Sequence, residues 1–349
     1  MNETDVYRRL AAKVNFPQSR FIRQVFQKMV TPEEGEMILA LPASNAELAA
    51  KFGMSEAAVS KKIDEFVRKG VVMPLEKAGV LRHFPVNNII QVHDATIHAT
   101  LNKKYKPVRD EIVRMWRNFR ETEWLEIVRL RDDYNQAQLG RVAPMRGAVK
   151  DTSQLLPYED VGVIMEESPV IGVVDCPCRW LDVQEGNCDK PTFTCFSLTP
   201  NAVKYIVDRD IGRQISVDEA YEILDQCAEA GLVPLPGGAP RVRNLCNCCT
   251  DCCITFRPAV KYGYASPLPS RFRAVVDQEL CNGCQVCVDR CQFGVMGMVK
   301  VPDSKKLKAS VDSERCLGCG ACVIKCPTDA VTLNLVRPVE HIPLTTGTL

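Results

Sequence analysis

The sequence predicts an α+β fold: a helical N-terminal part, a mixed α/β middle rich in cysteine, and a C-terminal part organised by two similar cysteine runs. Three observations carry this reading. Apolar residues recur at helical spacing, with capping residues before them, through roughly the first 150 positions. A strand-like aliphatic run and capped helices then alternate between about 155 and 255. All 18 cysteines lie at or beyond Cys176, so the front of the chain carries no thiol.

With 349 residues, 46% hydrophobic and 25% charged, the chain can bury cores in two or three domains, and disorder is not expected. The net charge of +1 gives no overall drive toward nucleic acid or an anionic membrane. The first nine residues mix acids and bases with no apolar run behind them, unlike a secretory signal. The longest aliphatic runs, 161–165 and 170–174, are too short to span a bilayer. A cytoplasmic protein is the expectation, and in that reducing compartment clustered cysteines point to metal ligands or redox thiols rather than disulfides.

The expected segments are 1–90 (helical), 91–150 (a helical linker region), 151–258 (cysteine-rich α/β), 272–335 (the paired cysteine runs) and a tail, 336–349. In the first, Ile22, Val25, Phe26 and Met29 share one helical face behind Ser19 as a cap, and a helix is predicted over 32–40. Ser44 with Glu47 makes a capping box for a helix ended by Gly53. Ser55 opens another, with Val59, Ile63, Phe66 and Val67 along its buried stripe and Gly70 at its end. Two short strands about Gly79 follow. This order resembles a winged helix-turn-helix over residues 32–86. Its second helix sets Lys61, Lys62, Arg68 and Lys69 against Glu56, Asp64 and Glu65, a weak cationic surface for phosphates. Packing or dimer formation therefore fits this region better than DNA binding.

From His93 to about Gln138 the pattern is helical, with Pro107 in a first turn and Val108, Ile112, Trp116 and Phe119 on one face. Trp116 and Trp124 read as core. Residues 101–150 hold twelve Lys or Arg and seven Asp or Glu, a solvated basic face or a dock for an acidic partner. Downstream, a helix is expected over 158–167, a buried strand over 170–174 leading into Cys176, a helix behind Thr199 and Pro200, and one capped by Ser216 with Glu219 and ending at Gly231. Proline and glycine at 234–240 and prolines at 258–269 mark boundaries.

The most specific motif is the pair of runs Cys281-x2-Cys284-x2-Cys287-x3-Cys291 and Cys316-x2-Cys319-x2-Cys322-x3-Cys326-Pro327. Soft thiolates share charge with iron and bridging sulfide, and a two-residue spacer lets three cysteines wrap three corners of a cubane. The pattern resembles a bacterial two-cluster ferredoxin. That resemblance implies two [4Fe–4S] clusters, with the last cysteine of each run crossing to the other: Cys281, Cys284, Cys287 and Cys326 for one, Cys316, Cys319, Cys322 and Cys291 for the other. Gly283, Gly318 and Gly320 suit tight turns around such clusters. Gln292 departs from the pattern, standing where the second run has Pro327.

Of the ten other cysteines, Cys227 sits inside a predicted helix and reads as a buried thiol. Cys176, Cys178, Cys188 and Cys195 form one group, and Cys246, Cys248, Cys249, Cys252 and Cys253 a second. Neighbouring thiolates repel, and a metal relieves the repulsion, so at least one more centre is expected, either iron–sulfur or zinc, with the sharing of ligands open. The whole arrangement resembles multidomain iron–sulfur proteins of anaerobes. Arg179 is a candidate for stabilising cluster charge, for binding an anion or for a plain salt bridge. The four histidines read as surface or capping residues, and no nucleotide-binding glycine motif occurs. The functional expectation is an electron carrier or electron-transfer subunit of an oxidoreductase, working with a redox protein partner. The alternative is a redox-responsive DNA-binding regulator.

Overall fold

The computed structural model describes residues 3–77, 79–133, 140–183, 185–264, 267–302 and 304–344. Gln138, at the end of the predicted linker helix, and positions 345–349 of the tail lie outside the described residues. The first stretch holds α1 (Glu3–Lys13), α2 (Arg20–Met29), α3 (Pro32–Leu39), α4 (Asn45–Phe52), α5 (Glu56–Lys69), β1 (Val72–Lys77), β2 (Val80–Pro85), α6 (Ile89–Ala99), α7 (Lys106–Glu121) and α8 (Glu123–Asp133). Then follow α9 (Val161–Glu166), β3 (Ile171–Asp175), α10 (Pro177–Val183), β4 (Phe193–Ser197), α11 (Pro200–Asp208), β5 (Gly212–Ile215), α12 (Val217–Glu229), β6 (Val233–Pro236), β7 (Asn244–Cys248) and α13 (Phe256–Tyr262). The C-terminal part holds β8 (Phe272–Val276), α14 (Val286–Arg290), β9 (Met296–Val299), β10 (Lys308–Val311), α15 (Ala321–Ile324) and β11 (Val331–Leu335). The class is mixed helix and strand, α+β. Among the described residues, no helix is long and apolar enough to cross a membrane.

Contacts divide the chain into two units, Met1–Ile127 with Pro200–Arg213, and Val128–Thr199 with Gln214–Thr348. In the first unit Ser19 and Ser44 cap their helices as the sequence predicts, and Thr31 adds a cap that it does not name. Ser19 Oγ accepts from the Ile22 N–H, and Thr31 with Glu34 and Ser44 with Glu47 form reciprocal capping boxes. Phe21, Ile22, Val25, Phe26 and Met29 turn one face of α2 inward. Trp116 and Trp124 are buried around Phe119, and the Trp116 indole N–H donates to Thr96 Oγ1 at 3.0 Å. The segment 200–213 joins this unit through Arg209. Its buried guanidinium donates to the Ala95 carbonyl of α6 at 2.6 Å and to the Arg68 carbonyl, in the last turn of α5, at 3.1 Å.

Two sequence expectations need correcting here. His93 and His98 are buried rather than at the surface, because α6 is a core helix whose Ile89, Val92, Ala95 and Ile97 are also buried. The His93 ring packs edge-on against Trp116 at 4.9 Å, with Nδ1 2.7 Å from the Asp94 carboxylate. The helix expected over 158–167 is shorter, since Asp160 Oδ1 accepts from the Gly162 and Val163 N–H groups and starts α9 at Val161.

A five-stranded sheet has the order β5-β3-β4-β7-β6, with antiparallel β3–β4, β4–β7 and β6–β7 pairs, and β3, β4, β6 and β7 lie in the second unit. Two further antiparallel pairs, β8–β11 and β9–β10, frame the C-terminal cysteine runs.

Glu34 is the electrostatic centre of the first unit. It receives Lys62 at 3.0 Å and Lys69 at 2.9 Å, with Lys69 as buried as Glu34 itself. Burial alone would raise the Glu34 pKa, but the hydrogen bonds from Lys69 and Lys62 hold it below its ordinary 4.5. We expect Glu34→Gln to leave the buried Lys69 ammonium with Glu65, at 3.4 Å, as its remaining carboxylate and to cost about 2 kcal/mol. Because the folded-state pKa is the lower one, this contribution is complete above pH 4.5 and is lost as pH falls through the folded value. Hydrogen-exchange protection of peptides from α3 and α5 should therefore differ between variant and wild type near neutrality and converge in acid.

Candidate metal centres

All 18 cysteines are free thiols. The C-terminal runs sit on a twofold-repeated plan in which a strand leads into three cysteines, a short helix and a fourth cysteine, and a second strand follows. The β8–β11 register pairs Phe272 with Leu335 and Val276 with Val331, which joins the start of one repeat to the end of the other. One cavity is lined by Cys316, Cys319 and Cys322 together with Cys291. Another is lined by Cys281, Cys284 and Cys287 together with Cys326. Each cavity thus gathers three thiols of one run and the last thiol of the other.

The donor chemistry suits iron–sulfur cubanes. Four thiols line each cavity, and backbone N–H groups point at sulfur, as from Ala309 to Cys281 Sγ at 3.4 Å. Burial pushes the Cys319 thiol up to about 12, a cost that a coordinated cation removes. At Cys326 burial acts the same way, but the N–H groups of Thr328 and Val331 outweigh it and lower its pKa. The walls also require glycine. A Cβ on Gly318, at φ +68°, would stand 2.1 Å from the Phe272 carbonyl oxygen and 2.3 Å from Ser270 Oγ. One on Gly283, at φ +76°, would stand 2.4 Å from the Leu307 carbonyl oxygen.

The central cysteines are brought together by the sheet. Val174 pairs with Cys195 across β3–β4, and Leu235 pairs with Cys246 across β6–β7. Cys246 and Cys248 are two apart on β7 and so share a face. Cys195 is hydrogen-bonded to Cys176 and Cys246, and Cys248 to Cys246 and Cys253. Cys178 closes on Cys176, whose thiol is held well below the ordinary range by hydrogen bonds from Cys178 and Cys195. Cys176, Cys178, Cys195, Cys246, Cys248 and Cys253 therefore form one continuous patch.

The adjacent pairs Cys248-Cys249 and Cys252-Cys253 split between two cores. Cys248 and Cys253 pack in the core that contains the C-terminal cysteines, while Cys249 and Cys252 pack in the core of the sheet and α12, where Cys188 joins them. The thiols of Cys188, Cys249 and Cys252 all lie within 4.8 Å of one another. Cys227, also in that core, is fully buried, and burial pushes its pKa up to about 12.

Arg179 is not in a plain salt bridge. Fully buried, it donates to the Pro191 carbonyl, to Thr194 Oγ1 at 3.0 Å and to the Asn247 carbonyl at 2.7 Å, all neutral acceptors. Burial disfavours its charge, yet the negative charge of Cys176, Cys249 and Cys195 raises its pKa. The guanidinium thus serves both thiol groups.

Gln292 explains its own departure from proline. Its side-chain amide donates to the Gly231 carbonyl, and its oxygen accepts from the Thr250 N–H at 2.9 Å. Arg290 donates to the carbonyls of Ala228 at 2.5 Å and Glu229 at 3.1 Å, and to Ala321 at 2.9 Å. Together they cap the C-terminal end of α12 and tie the C-terminal cysteine runs to the central loop. Spacing alone carries no trace of either role, although a polar residue in place of proline was the visible signal.

Glycine substitutions separate space from backbone conformation. Gly294, at φ +62°, has nothing within 4 Å of a built Cβ. Gly294→Ala should cost about 1–2 kcal/mol, the left-handed penalty alone. Gly318→Ala should abolish accumulation of folded chain or its bound iron, measured by iron per chain after anaerobic purification.

Residues 280–330 match the family of 4Fe-4S dicluster domains. No curated protein matches the chain. The similarity covers the two cysteine-lined cavities and supports an iron–sulfur electron-transfer role for this part of the chain.

Proposed function

We propose that the chain is an electron-transfer protein, or the electron-transfer subunit of an oxidoreductase, that relays single electrons between redox protein partners. In this reading Cys281, Cys284, Cys287 and Cys326 hold one [4Fe–4S] cluster, and Cys316, Cys319, Cys322 and Cys291 hold the second. The observation that carries it is the make-up of the two cavities, each with three thiols of one run and the last of the other. When bound, each cluster takes one electron from a one-electron protein donor and passes one to a one-electron protein acceptor. The chain's own part is to exclude water and fix distance. Cys281, Cys287, Cys316 and Cys322 are buried, and Phe293, Val295 and Leu333 wall the sulfur-lined space. Cys284 is exposed, which puts one cluster edge within reach of a partner.

We assign the patch of Cys176, Cys178, Cys195, Cys246, Cys248 and Cys253 to a further iron–sulfur centre. Cys246, Cys248 and Cys253 of this patch pack in the same core as the C-terminal cysteines, which suits relay from one to the other. The free thiols throughout suit a reducing compartment such as the cytoplasm. The helices and hairpin from Pro32 to Pro85, the winged-helix-like part, serve packing in this reading rather than DNA. Lys62 and Lys69 in α5 are already engaged by the Glu34 carboxylate, and Lys69 also lies 3.4 Å from Glu65.

Paired serine variants test the crossed ligation by non-additivity. Cys291→Ser with Cys322→Ser should remove about four irons per chain, because both thiols serve one cluster. Cys291→Ser with Cys287→Ser should remove about eight. The reverse pattern would place each run on its own cluster, and loss of no iron from either pair would end the relay reading.

A further inference from the structure

We propose that Cys188, Cys249 and Cys252 bind a single zinc ion at a site separate from the iron–sulfur centres. The three sulfurs lie within 4.8 Å of one another. Thiolates at about 2.3 Å from one tetrahedral ion stand about 3.8 Å apart, so a small contraction of this trio suffices. The trio also packs in a core distinct from that of Cys246, Cys248 and Cys253, so the Cys248-Cys249 and Cys252-Cys253 pairs each divide between the two cores.

The surroundings are built for a coordinated ion. Cys249 and Cys252 are buried and come from one loop, and Cys188 comes from the loop after α10. The Lys190–Asp251 ion pair at 3.0 Å clips these two loops together beside the sulfurs. Arg179, fully buried, donates hydrogen bonds to neutral oxygens, and Cys249 lies within electrostatic reach of its guanidinium. A guanidinium stays protonated in proteins and is costly to bury without a counter-charge. Three thiolates and one divalent ion carry a net −1, which the buried Arg179 guanidinium offsets. Asp182, also buried, lies within electrostatic reach of Cys252. Zinc, without redox chemistry of its own, would tie the Cys188 loop to the loop that carries Cys249 and Cys252.

The experiment counts zinc and iron separately on the full-length chain purified without oxygen, then applies zinc-edge X-ray absorption to the same wild-type material. About one zinc per chain in a sulfur-dominated shell at about 2.3 Å is the expected result. Cys249→Ser with Cys252→Ser should lower zinc at least tenfold and leave the iron count and the EPR signal of dithionite-reduced protein unchanged. The rim variant Cys188→Ser, the mildest of the set, should weaken zinc retention against a chelator in the same direction. Absence of zinc after incubation with Zn²⁺, a shell of nitrogen and oxygen alone, or loss of iron in place of zinc would each overturn the proposal. Because iron is read independently, failure of the zinc site is distinguishable from failure of the relay.

Discussion

Crowded sulfur is the constraint on which the second unit depends. Thiolates brought this close repel one another, and burial raises the cost of each negative charge, as the upward shifts at Cys319 and Cys227 show. A coordinated cation resolves that conflict by drawing off the proton and the repulsion together. The fold answers with three devices. Positive-φ glycines bring backbone against the sulfur-lined spaces, N–H groups aim at sulfur, and one buried guanidinium sits between two thiol groups.

The geometry of those devices is set by ordinary sheet and helix rules. Antiparallel β4 and β7 bring Cys195 and Cys246 side by side, and the alternation of β7 puts Cys248 on the same face. The chain then turns at Thr250 and Asp251, and the second adjacent pair mirrors the first, with Cys253 returning to Cys248 and Cys252 to Cys249. Arg290 and Gln292 fasten the C-terminal runs to the end of α12, so the two sulfur-rich regions share one continuous core. Fixed separation of this kind is what electron exchange between neighbouring centres requires, because the proteins' contribution is position and dielectric rather than bond making.

Local chemistry was readable in the chain wherever neighbours in sequence decide the outcome. Ser19, Ser44 with Glu47, and Ser55 cap the helices expected of them, and Gly53 and Gly70 end theirs in the left-handed conformation. The run of Ile171 to Asp175 forms the strand that delivers Cys176. Features set by distant partners were not readable. Pro200–Arg213 packs with the first unit because Arg209 reaches the Arg68 and Ala95 carbonyls, more than a hundred positions away. His93 and His98 are buried because their helix is surrounded, which four isolated histidines could not signal. The division of two Cys-Cys pairs between two cores depends on strand pairing, and spacing holds no record of it.

Low-temperature EPR of the full-length chain, purified without oxygen and reduced with dithionite, tests the central claim most directly. The account predicts a magnetically coupled signal that integrates to at least about two spins per chain, from paired reduced clusters held close together. A protein that stays EPR-silent on reduction and contains no inorganic sulfide would contradict it.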